Sequence, residues 1–185
     1  MSGVLGGLLG SLKSGVSTSY ESIASFYSLG TVTSYTFSSI PGTFKHLQLR
    51  MYLPGGSSVS ATNLDIQVNG DTGTNYVNHW FNGTGTTVSA SSQTSNPRIE
   101  EMVLFRSANT YPAGVILDIL DYADTNKYKT FRTLSGKEDG NSGDVRITSH
   151  MWMSTSAITS IKVYPDNNNN FPPGVRLSLY GIKGA

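Results

Sequence analysis

Three histidines, a run of aspartates and several large aromatic residues are the parts of this sequence that could do chemistry. His46, His79 and His150 are widely separated, and none has a partner at the i, i+2 or i, i+4 spacing that a metal site on one element needs. They read as surface or interface residues. Asp118, Asp121 and Asp124 could form a carboxylate cluster. On an extended strand, however, Asp118 and Asp121 fall on opposite faces, and each meets a basic residue across a hairpin, so structural ion pairs explain them better. Asn69-Gly70-Asp71-Thr72-Gly73 offers oxygen ligands in a turn but lacks the later acidic positions and closing glutamate of an EF-hand calcium loop. The chain has no G-x-S-x-G elbow, no phosphate-binding glycine motif and no evident carboxylate pair of the glycosidase kind. The expectation is a protein that is not an enzyme and uses no metal or cofactor.

Glycan binding is the more serious chemical candidate. Tyr76, Trp80, Phe81, Tyr111 and Trp152 could supply ring faces, with nearby Asn and Asp side chains as hydrogen-bonding partners. Tyr76 and Trp80 are the candidate contacts. The competing reading is that the tryptophans pack in the core or at a subunit contact, as large aromatics most often do.

The elements that would position these residues are strands. Residues 114–136 read as a hairpin around Ala123-Asp124-Thr125-Asn126-Lys127. A register whose paired positions sum to 250 sets Asp118 opposite Arg132, Ile119 opposite Phe131, Asp121 opposite Lys129 and Tyr122 opposite Tyr128. Val115, Leu117 and Ile119 then share one face, with Ile116, Leu120 and Tyr122 on the other. A strand apolar on both faces belongs in the middle of a sheet. Residues 44–53 alternate cleanly, with Leu47, Leu49, Met51 and Leu53 on one side. Leu64, Ile66 and Val68 alternate with Asp65 and Gln67 before an Asn69-Gly70 turn. Residues 75–81 fit a strand or a short helix, and 83–97 read as a long polar loop. Val145, Ile147, Met151 and Met153 share a face of another strand, and 157–164 and 175–182 complete about nine. The stretch between these last two, with four consecutive asparagines and Pro172-Pro173, is a loop.

Composition agrees. Of 185 residues, 37% are hydrophobic and only 14% charged, with Ser, Thr, Asn and Gly abundant, which suits sheets and turns rather than a helical bundle. A net charge of +1 gives no electrostatic case for nucleic acid or an anionic membrane. With no cysteine there is no disulfide framework. The expected fold is all-β, an antiparallel β-sandwich of jelly-roll type over residues 31–185, preceded by an arm and linker at 1–30. The arm lacks the basic start of a secretory signal and is too short to span a bilayer. Its Val4, Leu5, Leu8, Leu9 and Leu12 recur at helical spacing among four glycines, each costing such a helix roughly 1 kcal/mol. It is either a frayed tail or a segment ordered against another subunit.

Five blocks carry a resemblance: FSSIPGTFKHLQLR (37–50), VNGDTGTNY (68–76), LDILDYADTNKYKTFRTLSG (117–136), MWMSTSAITSIKV (151–163) and RLSLYGIKG (176–184). In this order they resemble a family of small virion proteins of tailed bacteriophages, over roughly residues 31–184. The resemblance implies a structural protein working as an oligomer in a virion assembled in the host cytoplasm, and it brings no catalytic residues. The expected role is a capsid decoration or cement protein, a homotrimer bound to the shell of major capsid protein. The alternative is a tail or fibre component that binds a host-surface glycan. The arm's five apolar residues, together with Tyr111 and Phe171, are the expected partner and oligomer contacts.

Overall fold

The structure, a computed structural model, describes residues 18–54, 62–100, 102, 104–105, 112–138 and 143–184. The described residues form twelve strands and no helix. In chain order these are β1 (Tyr20–Tyr27), β2 (Tyr35–Phe37), β3 (His46–Leu53), β4 (Thr62–Val68), β5 (Tyr76–Gly83) and β6 (Val88–Asn96). Then come β7 (Leu104–Phe105), β8 (Ala113–Leu120), β9 (Lys129–Lys137), β10 (Asp144–Trp152), β11 (Ile161–Pro165) and β12 (Arg176–Ile182). They make an antiparallel β-sandwich. One sheet runs β1-β12-β3-β8-β9-β10-β5-β6, and the other β2-β11-β4-β7.

Period-two patterning builds the interface between the sheets. Leu47, Leu49, Met51 and Leu53 of β3 point inward with Val115, Leu117 and Ile119 of β8 and Leu177 and Leu179 of β12. From the small sheet, Leu64, Ile66 and Val68 meet them with Ile161 and Val163. Each such side chain contributes roughly 1.5–3 kcal/mol on burial. Towards β9, β10 and β5 the same inner face turns polar, with Thr133, Ser135, Arg146, Thr148, His150 and Asn78 all buried. Most of these groups find partners, although the Thr133 hydroxyl has none among the described residues. His150 Nδ1 lies 2.8 Å from Asn78 Oδ1 and its Nε2 lies 2.6 Å from Thr148 Oγ1, while Arg146 pairs with Asp144 at 3.0 Å. Ser135 donates to the Met102 carbonyl.

The hairpin register holds along the strands: Asp118 opposes Arg132 and Ile119 opposes Phe131, and β8 is fourth of eight strands in its sheet. It fails at the turn. β8 stops at Leu120 and Asp121 takes a left-handed conformation (φ 47°), so Asp121 meets Lys127 and Lys45 instead of Lys129. Lys129 turns inward and donates to the carbonyls of Asp124, Lys127 and Thr155. Tyr122 is also buried rather than paired with Tyr128, and its hydroxyl donates to the Pro41 carbonyl.

Other expectations need correction. Residues 20–27 are not linker: β1 is the edge of the large sheet, laddered to β12 from Tyr20↔Ile182 to Tyr27↔Arg176. The supposed loop at 83–97 is mostly β6, joined to β5 through a turn at Thr84–Thr87. An edge strand held by its backbone ladder needs no apolar alternation, which is why its sequence looks like a loop. His150 is buried rather than on the surface. Phe171 is not an interface residue: it sits in the core, bridged to Val32 through backbone hydrogen bonds of 2.7 and 3.2 Å.

Candidate functional site

The outer face of the large sheet is organised in rows, because residues directly opposed across antiparallel strands share a face. One row reads Arg50–Ile116–Leu134–Ile147–Phe81–Ala90 across β3, β8, β9, β10, β5 and β6. Its four large apolar members remain 42%, 54%, 58% and 48% exposed, from Ile116 to Phe81. The next row, Tyr52–Gly114–Gly136–Val145–Gly83–Val88, has three glycines where side chains would stand. A Cβ on Gly114 or Gly83 would meet nothing within 4 Å, so these glycines serve the surface and not the packing beneath it. Together the two rows form a shallow depression of about 450 Å³, lined by Arg50, Ile116, Leu134, Gly136 and Val145. On the other side of the apolar row runs a polar one, Tyr180–Gln48–Asp118–Arg132–Ser149–His79.

Towards β1 the same face becomes a lattice of arginine and tyrosine. The Arg50 guanidinium lies over the rings of Tyr180 and Tyr20 at 5.1 and 5.5 Å, with its Nε donating to Gln48 Oε1 at 2.7 Å. Gln48 passes the contact on, its Nε2 donating to Asp118 Oδ1 at 2.8 Å. Arg176 lies over Tyr27 and Tyr52 at 5.5 and 6.0 Å. These contacts hold long side chains in place and so lower the entropy cost of engaging a partner.

A second feature lies on the outside of the small sheet. Asp65 of β4, opposite Tyr164 of β11, sits fully buried at the base of a cleft of about 440 Å³. Arg98 Nε lies 2.8 Å from Asp65 Oδ2, and its Nη2 lies 2.8 Å from Glu100 Oε2. The neighbouring carboxylates outweigh burial and hold the Arg98 pKa above its ordinary value, whereas burial pushes the Tyr164 phenol up. Sequence patterning put Asp65 on a solvent face; the return of Arg98 and the 165–169 loop over that face is what covers it.

Of the residues singled out from sequence, Tyr76 is not available to a ligand. It is buried, its ring stacks on Trp152 at 6.5 Å, and its hydroxyl accepts from Val68 N at 3.1 Å and donates to the Asp71 carbonyl at 3.1 Å. Trp80 is half-buried on the inner side of β5, opposite Thr148 of β10 and Ser91 of β6, and so faces away from Phe81 and Ile147. The Asp71 carboxylate of the turn considered for calcium is engaged by Trp152, Asn75 and Gly73. His46 Nδ1 accepts from the Asp121 amide at 3.0 Å, and His79 lies on the outer face of β5, away from His46. Among the described residues no group of three or more His, Cys, Asp or Glu side chains is placed to hold a metal ion. Val4, Leu5, Leu8, Leu9, Leu12 and Tyr111 lie outside the described residues. The outer-face rows were missed because no single strand contains them.

No protein-family model matches the chain, and no curated protein matches it. Among solved structures it is similar to a Scytalido-glutamic peptidase crystallised with a peptide-based transition state analog, at 9% identity and a TM-score of 0.29. The match covers 84% of this chain and 66% of the peptidase chain, and a likeness this slight bears on neither fold nor activity.

Proposed function

We propose that the chain is a structural protein of a tailed-bacteriophage particle, a capsid decoration protein that lies against the shell of major capsid protein through the outer face of its large sheet. The observation that carries this reading is the apolar row Ile116–Leu134–Ile147–Phe81, exposed across four adjacent strands and flanked by the Arg–Tyr lattice. Contiguous exposed apolar surface marks an interaction site, and Tyr and Arg are the residues that most often dominate binding energy. Eight strands of seven to nine residues offer a face of roughly 34 by 27 Å, about 900 Å². That is about the area a standard specific interface takes from each partner. The virion-like sequence blocks support the same reading, and three of them, 37–50, 117–136 and 176–184, supply parts of β3, β8, β9 and β12 of this sheet.

The test is to add the purified protein to particles stripped of it, comparing wild type with Leu134→Glu and Ile147→Lys. Both positions are exposed, so their unfolding free energies should stay within about 0.5 kcal/mol of wild type. Loss of particle binding by both is the expected result. Cryo-electron microscopy of the decorated particle should then show the β8–β9–β10 face towards the shell. Density at the tail alone, or a large sheet facing solvent, would overturn the assignment.

A further inference from the structure

The cleft on the small sheet has a character that docking through the large sheet does not explain. Its lining is mostly polar: Thr33, Ser34, Asn167, Asn168 and Asn169 join the charged groups, with Tyr164 and Pro165 adding apolar surface. Its charged groups come close to balance, with Asp65, Asp166 and, behind Arg98, Glu100 against Arg98 and Lys162. The charges at its base are fixed, since Arg98 bridges Asp65 and Glu100 and the Lys162 ammonium sits over the Tyr164 ring at 4.9 Å. The asparagine rim is fixed too. Asn167 and Asn168 both take left-handed conformations (φ 53° and 58°), and Asn169 N donates to the Asp166 carbonyl at 3.0 Å, the geometry of a type I′ turn.

From this geometry we infer that the cleft is a binding site for a neutral saccharide. Ligand pockets for apolar molecules are lined mostly by hydrophobic side chains, which this one lacks. A charged ligand would want a strong net field of opposite sign, and these groups leave at most one excess negative charge, held by Arg98. Vicinal hydroxyls are both donors and acceptors, and the carboxamides and hydroxyls of the lining match them in pairs, above a base that the buried Asp65 carboxylate anchors. A volume of about 440 Å³ falls in the range of ligand sites. Burying the Asp65–Arg98 pair costs desolvation that an apolar pair would avoid. Its return here is a polar floor held rigid, with Arg98 itself part of the lining. The inference goes beyond the decoration role and does not depend on where in the particle the protein sits.

The experiment is saturation-transfer difference NMR on the full chain. The probes are neutral hexoses, N-acetylhexosamines and their disaccharides, with glucuronic acid and glucosamine as charged controls. The wild type should bind at least one neutral saccharide at millimolar concentration and neither control. Asn167→Gly with Asn168→Gly keeps the left-handed turn while removing two carboxamides, and should weaken binding about tenfold. Ser34→Ala, elsewhere in the lining, provides a second reading if the turn variant melts early. No binding across the neutral panel overturns the proposal. So does binding that neither variant weakens, or binding of the charged controls alone. Leu134→Glu should bind saccharide like wild type, which separates this site from the sheet-face contact.

Discussion

The indole N–H of Trp152 donates to Asp71 Oδ2 at 2.6 Å, although 81 positions separate the two residues. The same carboxylate accepts from Asn75 Nδ2 at 2.9 Å and Gly73 N at 2.8 Å, tying the turn after β4 to the end of β10. Burial raises the Asp71 pKa, but the donors from Trp152, Asn75 and Gly73 outweigh it and leave the carboxyl below its ordinary value. Asp71→Asn turns an amide towards groups that are already donors. It should cost about 1.5–3 kcal/mol, the range for hydrogen bonds to a charged group. Urea unfolding at neutral pH measures this, and a variant as stable as wild type would show that the carboxylate is solvated rather than structural.

His150 predicts a dependence on pH. Burial, assisted by nearby His79, lowers its pKa to about 3, against 6.5 for a free imidazole. Below about 6.5 the unfolded chain takes a proton that the folded one refuses. Stability is therefore full above that pH and falls as pH drops towards 3, by up to about 1.4 kcal/mol per pH unit. His150→Gln removes this titration. Its urea midpoint should be lower than wild type at neutral pH and should change less between about pH 6.5 and 4.5, above the carboxylate range. Parallel curves for the two proteins would mean that His150 is protonated in the fold.

These two contacts also show where sequence patterning stops. Alternation identified β3, because each of its inward residues is apolar and each outward one polar or aromatic. It identified the β8–β9 register, because Asp118 and Arg132 mark one face and Ile119 and Phe131 the other. It missed β6, whose residues are nearly all exposed and carry no inward signal. It placed Asp65 in solvent and Tyr76 at a surface because burial of both depends on which distant segment returns over them, Arg98 in one case and Trp152 in the other. The interaction rows depend on the order of eight strands, six of them joined to non-consecutive neighbours, and no local pattern encodes that order.

Asp121 predicts acid sensitivity of a second kind. Hydrogen bonds from Lys127 and then Lys45 lower its pKa to about 2, from an ordinary 3.8. Its contribution is fully present above about pH 4 and is lost as pH falls through 2. The ammonium groups are half exposed, so salt should screen the effect. Asp121→Asn tolerates the left-handed conformation and removes only the charge. Its acid-unfolding curve should be flatter than wild type below about pH 4, with the difference shrinking in about 1 M salt. An unchanged acid limb would place the ion pairs outside the stability of the fold.

Gly181 lies on the inner side of β12, in the column of Leu177 and Leu179, and the Phe44 ring fills the place its side chain would take. A Cβ at Gly181 would fall 2.3 Å from Phe44 Cγ, the base of the ring, so no swing of a flexible tip relieves the clash. Gly181→Ala should destabilise by about 1–3 kcal/mol, as overpacking does, despite the better strand propensity of alanine. Phe44→Ala alone removes a partly buried aromatic. Combined with Gly181→Ala it also removes the clash, so the double variant should be more stable than the sum of the two losses implies, by about 0.5–3 kcal/mol. Strict additivity in urea unfolding would show that the strand shifts to admit the methyl group, and that the glycine marks backbone mobility rather than a close approach.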